Sequence, residues 1–149
     1  MNQMNTSTPL NGNINILLVE DDDGDAKALK RAFQKLAIAF PITRAVNGRE
    51  ALDILKGANG KEKMPSPQIL LVDLNMPKMN GIQFIRALRA DDELRQSIVF
   101  VLTTSKHEED KMAAYELNIA GYVAKVTAGE DFLNLVRLVD DYRRIVEMP

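Results

Sequence analysis

Ile69-Leu70-Leu71-Val72-Asp73, followed at once by Leu74-Asn75-Met76-Pro77-Lys78-Met79-Asn80-Gly81, is the stretch on which the fold turns. A short apolar run closed by turn-forming residues reads as a strand buried on both faces. A carboxylate at the C-terminal end of such a strand, ahead of a Pro and Gly loop, points to the crevice where open α/β sheets bind ligands. Ile14 to Val19 is a second run of this kind, and it ends in Glu20-Asp21-Asp22-Asp23. If the two strands are neighbours, three or four carboxylates gather at one sheet edge. Such a cluster repels itself unless a cation or protons relieve it.

Working outward, the candidate strands are Ile14–Val19, Ile42–Val46, Ile69–Asp73, Ile98–Thr103 and Gly121–Ala124. Amphipathic stretches alternate with them. The first helix is expected over Asp25–Ala39, with Leu29, Phe33, Leu36 and Phe40 along one face. The second starts near Gly48 and carries Ala51, Leu52 and Leu55; the third follows Gly81 with Ile82, Ile85 and Leu88 inward. Ser105 with Glu108, and Thr127 with Glu130, have capping-box spacing and open the fourth and fifth helices. The fifth runs towards Ile145 with Phe132, Leu135, Val136, Val139 and Tyr142 on its apolar face. Leu133 and Leu138 fall outside that face, at a helix edge or at an interface. Gly57 to Pro67 reads as a long surface loop, because the strand–helix rhythm continues across it. Regular βα alternation implies a parallel sheet with helices on both faces and right-handed crossovers. A doubly wound α/β sheet of order 2-1-3-4-5 sets strands 1 and 3 side by side, and with them Glu20, Asp21 and Asp73.

The chain of 149 residues fits one domain with modest tails, and a hydrophobic fraction of 46% can build a core. A net charge of −2 with both signs mixed argues against a general nucleic-acid or anionic-membrane surface. There are no cysteines, which excludes disulfides, thiolate metal sites and Cys nucleophiles. No apolar stretch approaches membrane-spanning length, and Met1–Asn13 lacks the apolar core of a signal peptide. A cytoplasmic protein is expected.

Three sites carry chemistry. Oxygen ligands such as Glu20, Asp21 and Asp73 suit Mg²⁺, which takes one or two carboxylates and keeps several waters; a backbone carbonyl near Asn75 could complete the shell. Asp73 could then attack a phosphoryl donor while the metal neutralises the transferring oxygens. The plain alternative is a solvated acidic rim. Thr103, ending the fourth strand, offers a hydroxyl to a phosphoryl oxygen, although threonine is a common strand residue. Lys125, after the last strand, can pair with a phosphate as a point charge, although a surface lysine there is unremarkable in isolation. The coincidence gives the reading its force: each group falls at the C-terminal end of a different strand, and these ends share one side of a parallel sheet.

Ile16-Leu17-Leu18-Val19-Glu20-Asp21-Asp22, the Leu71–Gly81 segment, Val101-Leu102-Thr103-Thr104 and Gly121-Tyr122-Val123-Ala124-Lys125 together resemble the receiver domain of two-component response regulators, with its CheY-like, flavodoxin-type fold. The resemblance covers about residues 14 to 145. It implies that Asp73 accepts a phosphoryl group from the histidine of a sensor kinase or a phosphotransfer protein. Glu20 and Asp21, with Asp73 and the Asn75 carbonyl, would hold Mg²⁺; Thr103 and Tyr122 would be a switch pair, and Lys125 the phosphate partner. Output would pass through the face of the fourth helix, fifth strand and fifth helix to a downstream protein or a second copy. The long loop before the third strand and the extended last helix are most similar to single-domain regulators paired with bacterial phytochrome kinases. The expected organisation is a tail over residues 1–13, a receiver over 14–146, a short tail over 147–149 and no output domain. The expected role is that of a phosphoacceptor which promotes its own phosphotransfer and autodephosphorylation. One departure is Val126, where the family commonly has a proline after the lysine, often cis. A cis non-proline bond costs about 2.5–4 kcal/mol, so a trans bond is expected here.

Two rival readings use Asp21-Asp22-Asp23-Gly24. The Asp-x-Asp-Gly pattern opens haloacid-dehalogenase-like phosphohydrolases, in which Asp21 would be the nucleophile and Asp23 the acid/base; the long motif around Asp73 would then be unexplained. An EF-hand loop through Asp21, Asp23 and Asp25 fails because Gly24 is misplaced and Ala32 stands where a bidentate Glu belongs. A scaffold with a dead acceptor site would lack an acid, the Thr or the Lys, and none is missing. His107 is expected exposed at the start of the fourth helix.

Overall fold

A computed structural model describes residues 14–125 and 128–149. The strands are β1 (Asn15–Val19), β2 (Ile42–Ala45), β3 (Gln68–Val72), β4 (Ile98–Thr103) and β5 (Gly121–Ala124). The helices are α1 (Asp23–Lys35), α2 (Gly48–Lys56), α3 (Gly81–Ala90), α4 (Glu108–Glu116) and α5 (Ala128–Ile145). The sheet order is β2-β1-β3-β4-β5, all pairs parallel. Val19 lies opposite Val72, so the residues that follow them, Glu20 and Asp73, leave the sheet side by side.

Alternation along the strands divides the core in two. Leu17, Val19, Leu70, Val72, Val99 and Val101 face α2 and α3, where they meet Ala51, Leu55, Phe84, Ile85 and Leu88. Ile16, Leu18, Ile69, Leu71, Phe100 and Leu102 face α1 and α5, against Leu29, Phe33, Phe132, Leu135 and Val139. Period-two side-chain direction explains why continuous apolar strands feed two cores. Each such side chain contributes about 1.5–3 kcal/mol on full burial, and truncating a fully buried aromatic such as Phe84 costs about 3–5 kcal/mol.

Several boundaries differ from the sequence-based expectation. Helix α1 starts two residues early, at Asp23, because the Asp22 side chain accepts the Asp25 backbone N–H at 2.7 Å and so caps it. It also ends early, at Lys35, where Ala37 adopts a positive φ of 55°; Phe40 lies beyond the helix yet packs edge-on to Phe33. The β3 ladder ends at Val72, leaving Asp73 just outside it. The expected box of Ser105 and Glu108 does not form. The Ser105 hydroxyl donates to Asp110 at 2.6 Å, and α4 starts after His107 without a side-chain cap. His107 is exposed, as expected. The loop before β3 is anchored by the buried Met64. In α5, Leu133 is half-buried against the core and Leu138 is exposed. The N-terminal tail, the Thr127 cap and the Lys125-Val126 peptide lie outside the described residues.

Candidate phosphoacceptor site

Four of the expected site residues sit where a strand runs out, while Tyr122 lies within β5 and Asp21 and Asn75 lie in the loops after β1 and β3. Glu20 follows β1, Asp73 follows β3, Thr103 closes β4 and Lys125 follows β5. One oxygen from each of Glu20, Asp21 and Asp73 lies within 4.8 Å of the others. Glu20 is buried and Asp21 exposed, so the group is open to solvent on one side. Asp73 is 8% exposed; its backbone N–H donates to the Val19 carbonyl at 3.0 Å, which locks β3 beside β1 up to this aspartate. The Asn75 N–H donates to Asp73 Oδ1 at 3.2 Å.

The turn after Asp73 is held by close backbone approach. The Gly81 N–H donates to the Leu74 carbonyl at 3.1 Å, and a Cβ at residue 81 would collide with the Asp73 carbonyl oxygen. Asn80 and Gln83 form a reciprocal capping box that starts α3 at this point. Glycine at 81 therefore brings the helix start directly against the Asp73 backbone.

Lys125 Nζ donates to Glu20 Oε1 and Asp25 Oδ2, each at 2.7 Å, and lies 3.4 Å from Asp73 Oδ2. Its side chain is only 5% exposed. Burial pulls the ammonium's pKa down, but the hydrogen bonds to Asp25 and Glu20 and the charges of Glu20 and Asp73 outweigh it and raise the group above its ordinary value. Burial, helped by the Asp73 charge, pushes the Glu20 carboxyl up to about 7 against the opposing pull of Lys125. Loss of solvation is thus the main reason the Glu20 carboxyl rises, and the neighbouring Asp73 charge adds to it.

Thr103 is fully buried, and its Oγ1 accepts from the Ser105 N–H at 3.3 Å, with a long 3.5 Å contact from Asn75 Nδ2. The Tyr122 hydroxyl donates to the Ser105 carbonyl at 3.1 Å. Burial raises the phenol's pKa, and the Ser105 bond opposes it. Thr103 and Tyr122 thus meet on the two sides of one residue, the backbone of Ser105.

Two residues joined this site without having been assigned to it from sequence. Asp25 had no signal beyond its place on the first turn of a helix. Arg44, in β2, donates from Nε to the Glu20 carbonyl at 2.9 Å and from Nη1 to Asp23 at 2.7 Å, pinning the β1–α1 loop. Asp23 is therefore engaged with Arg44, with its side chain 80% exposed, and is not one of the clustered carboxylates; the phosphohydrolase reading loses its acid/base. The EF-hand reading fails too, since Asp23 and Asp25 are helical.

A buried strand-end aspartate, two companion acids, a hydroxyl and a lysine thus converge at one edge of the parallel sheet. The sequence matches the response regulator receiver domain over residues 16–137, and the chain belongs to this family. The response regulator Rcp1 of Synechocystis sp. is 30% identical over 127 residues, covering 85% of this chain and 86% of that one. The crystal structure of the Mn²⁺-bound form of Rcp1 superposes with a TM-score of 0.80 at 29% identity, covering 91% of this chain and 99% of that one. The bacteriophytochrome response regulator AtBRR gives 0.70 at 31% identity, over 84% and 91% of the two chains. The chain is accordingly a signalling protein of two-component systems with a receiver fold, and receivers take their phosphoryl group from histidine kinases. No described helix is long and apolar enough to cross a membrane.

Proposed function

We propose that this protein is a single-domain response regulator whose Asp73 accepts a phosphoryl group from a histidine kinase of the phytochrome type or from a phosphotransfer protein. The observation that carries the reading is Lys125, which reaches from β5 to within 3.4 Å of Asp73 while pairing with Glu20 from β1. The phytochrome assignment is supported by the likeness to AtBRR. In the transfer, an Asp73 carboxylate oxygen attacks phosphorus of the phosphohistidine. A P–O bond forms, the P–N bond breaks, and the imidazole leaves with the bonding pair and takes up a proton.

The donor set fits Mg²⁺: all-oxygen, converging within 4.8 Å, and short of positive charge. Glu20, Asp21 and Asp73 would hold it with the Asn75 carbonyl, and bound Mg²⁺ supplies neutralisation of the transferring oxygens. The chain's own groups do the rest. Lys125 presents an ammonium to the phosphoryl oxygens, the Asn75 N–H orients Asp73, and the Thr103 hydroxyl donates to the phosphoryl once it arrives. An aspartyl phosphate adds negative charge and acceptor oxygens. Drawing Thr103 towards it breaks the Thr103–Ser105 contact, and Tyr122, bonded to the same Ser105, turns inward. Moving such a switch from 1:99 to 99:1 needs about 5.5 kcal/mol of differential stabilisation. The readout is the α4–β5–α5 face, where Met112 and Tyr115 are exposed, and its proposed occupant is a downstream protein, with self-association through the same face as the alternative. Autodephosphorylation at the same site resets the signal.

Intact-protein mass spectrometry after incubation with acetyl phosphate and Mg²⁺ tests this. One added phosphoryl group on the wild type, absent from Asp73→Asn and not formed when EDTA replaces Mg²⁺, is the expected result. An adduct that survives in Asp73→Asn overturns it.

A further inference from the structure

Asp25 lies outside the acidic group of Glu20, Asp21 and Asp73, yet it makes one of the two shortest contacts of Lys125. Its position is well fixed. Asp22 caps α1 by accepting the Asp25 N–H, and Ala26, Leu29 and Phe33 on the following turns are buried against the sheet. Lysine is a point charge on a flexible four-carbon stem, so an ammonium that must meet an incoming oxygen needs an anchor. Glu20 is a poor sole anchor, because it is also one of the residues expected to hold a cation.

The geometry points to Asp25 as a positioning residue that holds Lys125 Nζ beside Asp73 Oδ2, so that the ammonium is in place before the phosphoryl group arrives. This rests on the proposed role of Asp73 as phosphoacceptor and assigns a further residue to that reaction. The bland role for Asp25 is different. An acid in the first turn of a helix complements the helix dipole wherever it occurs. That role would affect melting and leave Lys125 alone.

Two readouts on the full chain separate these roles. The first is the limiting rate of phosphorylation by saturating acetyl phosphate with Mg²⁺, measured by intact mass for wild type, Asp25→Asn and Asp25→Ala. The second is heteronuclear NMR of the lysine ammonium groups without donor, the Lys125 signal being identified by its loss in Lys125→Ala. The expected result is a limiting rate lower by about tenfold in both variants, the effect of roughly 1.4 kcal/mol on a barrier. Mg²⁺ affinity by calorimetry stays unchanged, and the Lys125 ammonium signal, sharp in the wild type, broadens or disappears. A slower rate with the signal intact would show a helix effect only and overturns the inference. Unchanged rates in variants of a working wild type also overturn it and leave the receiver reading standing. A wild type that takes no phosphoryl group sinks that reading first, and the inference with it.

Discussion

Lys125, just after the last strand, and Glu20, just after the first, form a buried ion pair at 2.7 Å across 105 residues of chain. The pair closes the C-terminal edge of the sheet over β3, so the Asp73 carboxylate lies between the two strand ends. It also makes the site an electrostatic compromise, with one ammonium facing Glu20, Asp25 and Asp73.

Opposite signs are expected when members of this compromise are removed. Lys125→Ala leaves buried carboxylates uncompensated and lowers the stability of the metal-free protein by about 3 kcal/mol, the lower end for a broken buried pair because Glu20 can take up a proton. Asp73→Asn removes repulsion and stabilises. Urea unfolding in EDTA measures both; a Lys125→Ala protein as stable as the wild type would contradict the account.

In metal-free protein the Glu20 carboxyl, at about 7 when folded and 4.5 in its ordinary state, binds its proton more tightly in the folded chain. Between those values the folded state therefore holds more protons than the unfolded one. The contribution of Glu20 is present below about 4.5 and is lost as pH rises towards 7. Melting curves in EDTA should show a fall in stability over this window that is weakened in Glu20→Gln.

Gly81→Ala places a methyl against the Asp73 carbonyl and the Leu74 backbone. Backbone cannot yield as a flexible side chain does, so a loss of about 1–3 kcal/mol is expected, together with slower phosphorylation because the acceptor's own peptide must shift. Chemical denaturation and the acetyl phosphate assay check the two parts separately.

Arg44→Ala frees the Glu20 carbonyl and Asp23 from their clamp. Outer partners that orient metal ligands commonly carry about tenfold in affinity, and calorimetric titration with Mg²⁺ should show a weakening of that order with the fold intact by circular dichroism.

The strand ends were legible because each motif states its own local physics: an apolar run, then one polar residue of a definite kind. The β1–β3 neighbourhood came instead from the fold-level expectation of a 2-1-3-4-5 order, which the sheet has. What sequence did not show was pairing at a distance. Asp25 and Lys125 are 100 residues apart, and Asp25 alone looks like any acid at a helix start. Arg44 sits in an edge strand whose polar residues carry no pattern. The cap of α4 was misread because Ser105 has two possible uses, and the structure gives its hydroxyl to Asp110 and its carbonyl to Tyr122.

Borohydride reduction shows which residue of the chain carries the phosphoryl group, proposed above to be Asp73. An aspartyl phosphate is reduced to homoserine, which peptide mass spectrometry locates in the chain. Treatment of the acetyl phosphate-labelled protein should give homoserine at position 73 alone. Homoserine at position 21, or a labelled protein with aspartate intact at 73, would rule out Asp73 as the acceptor.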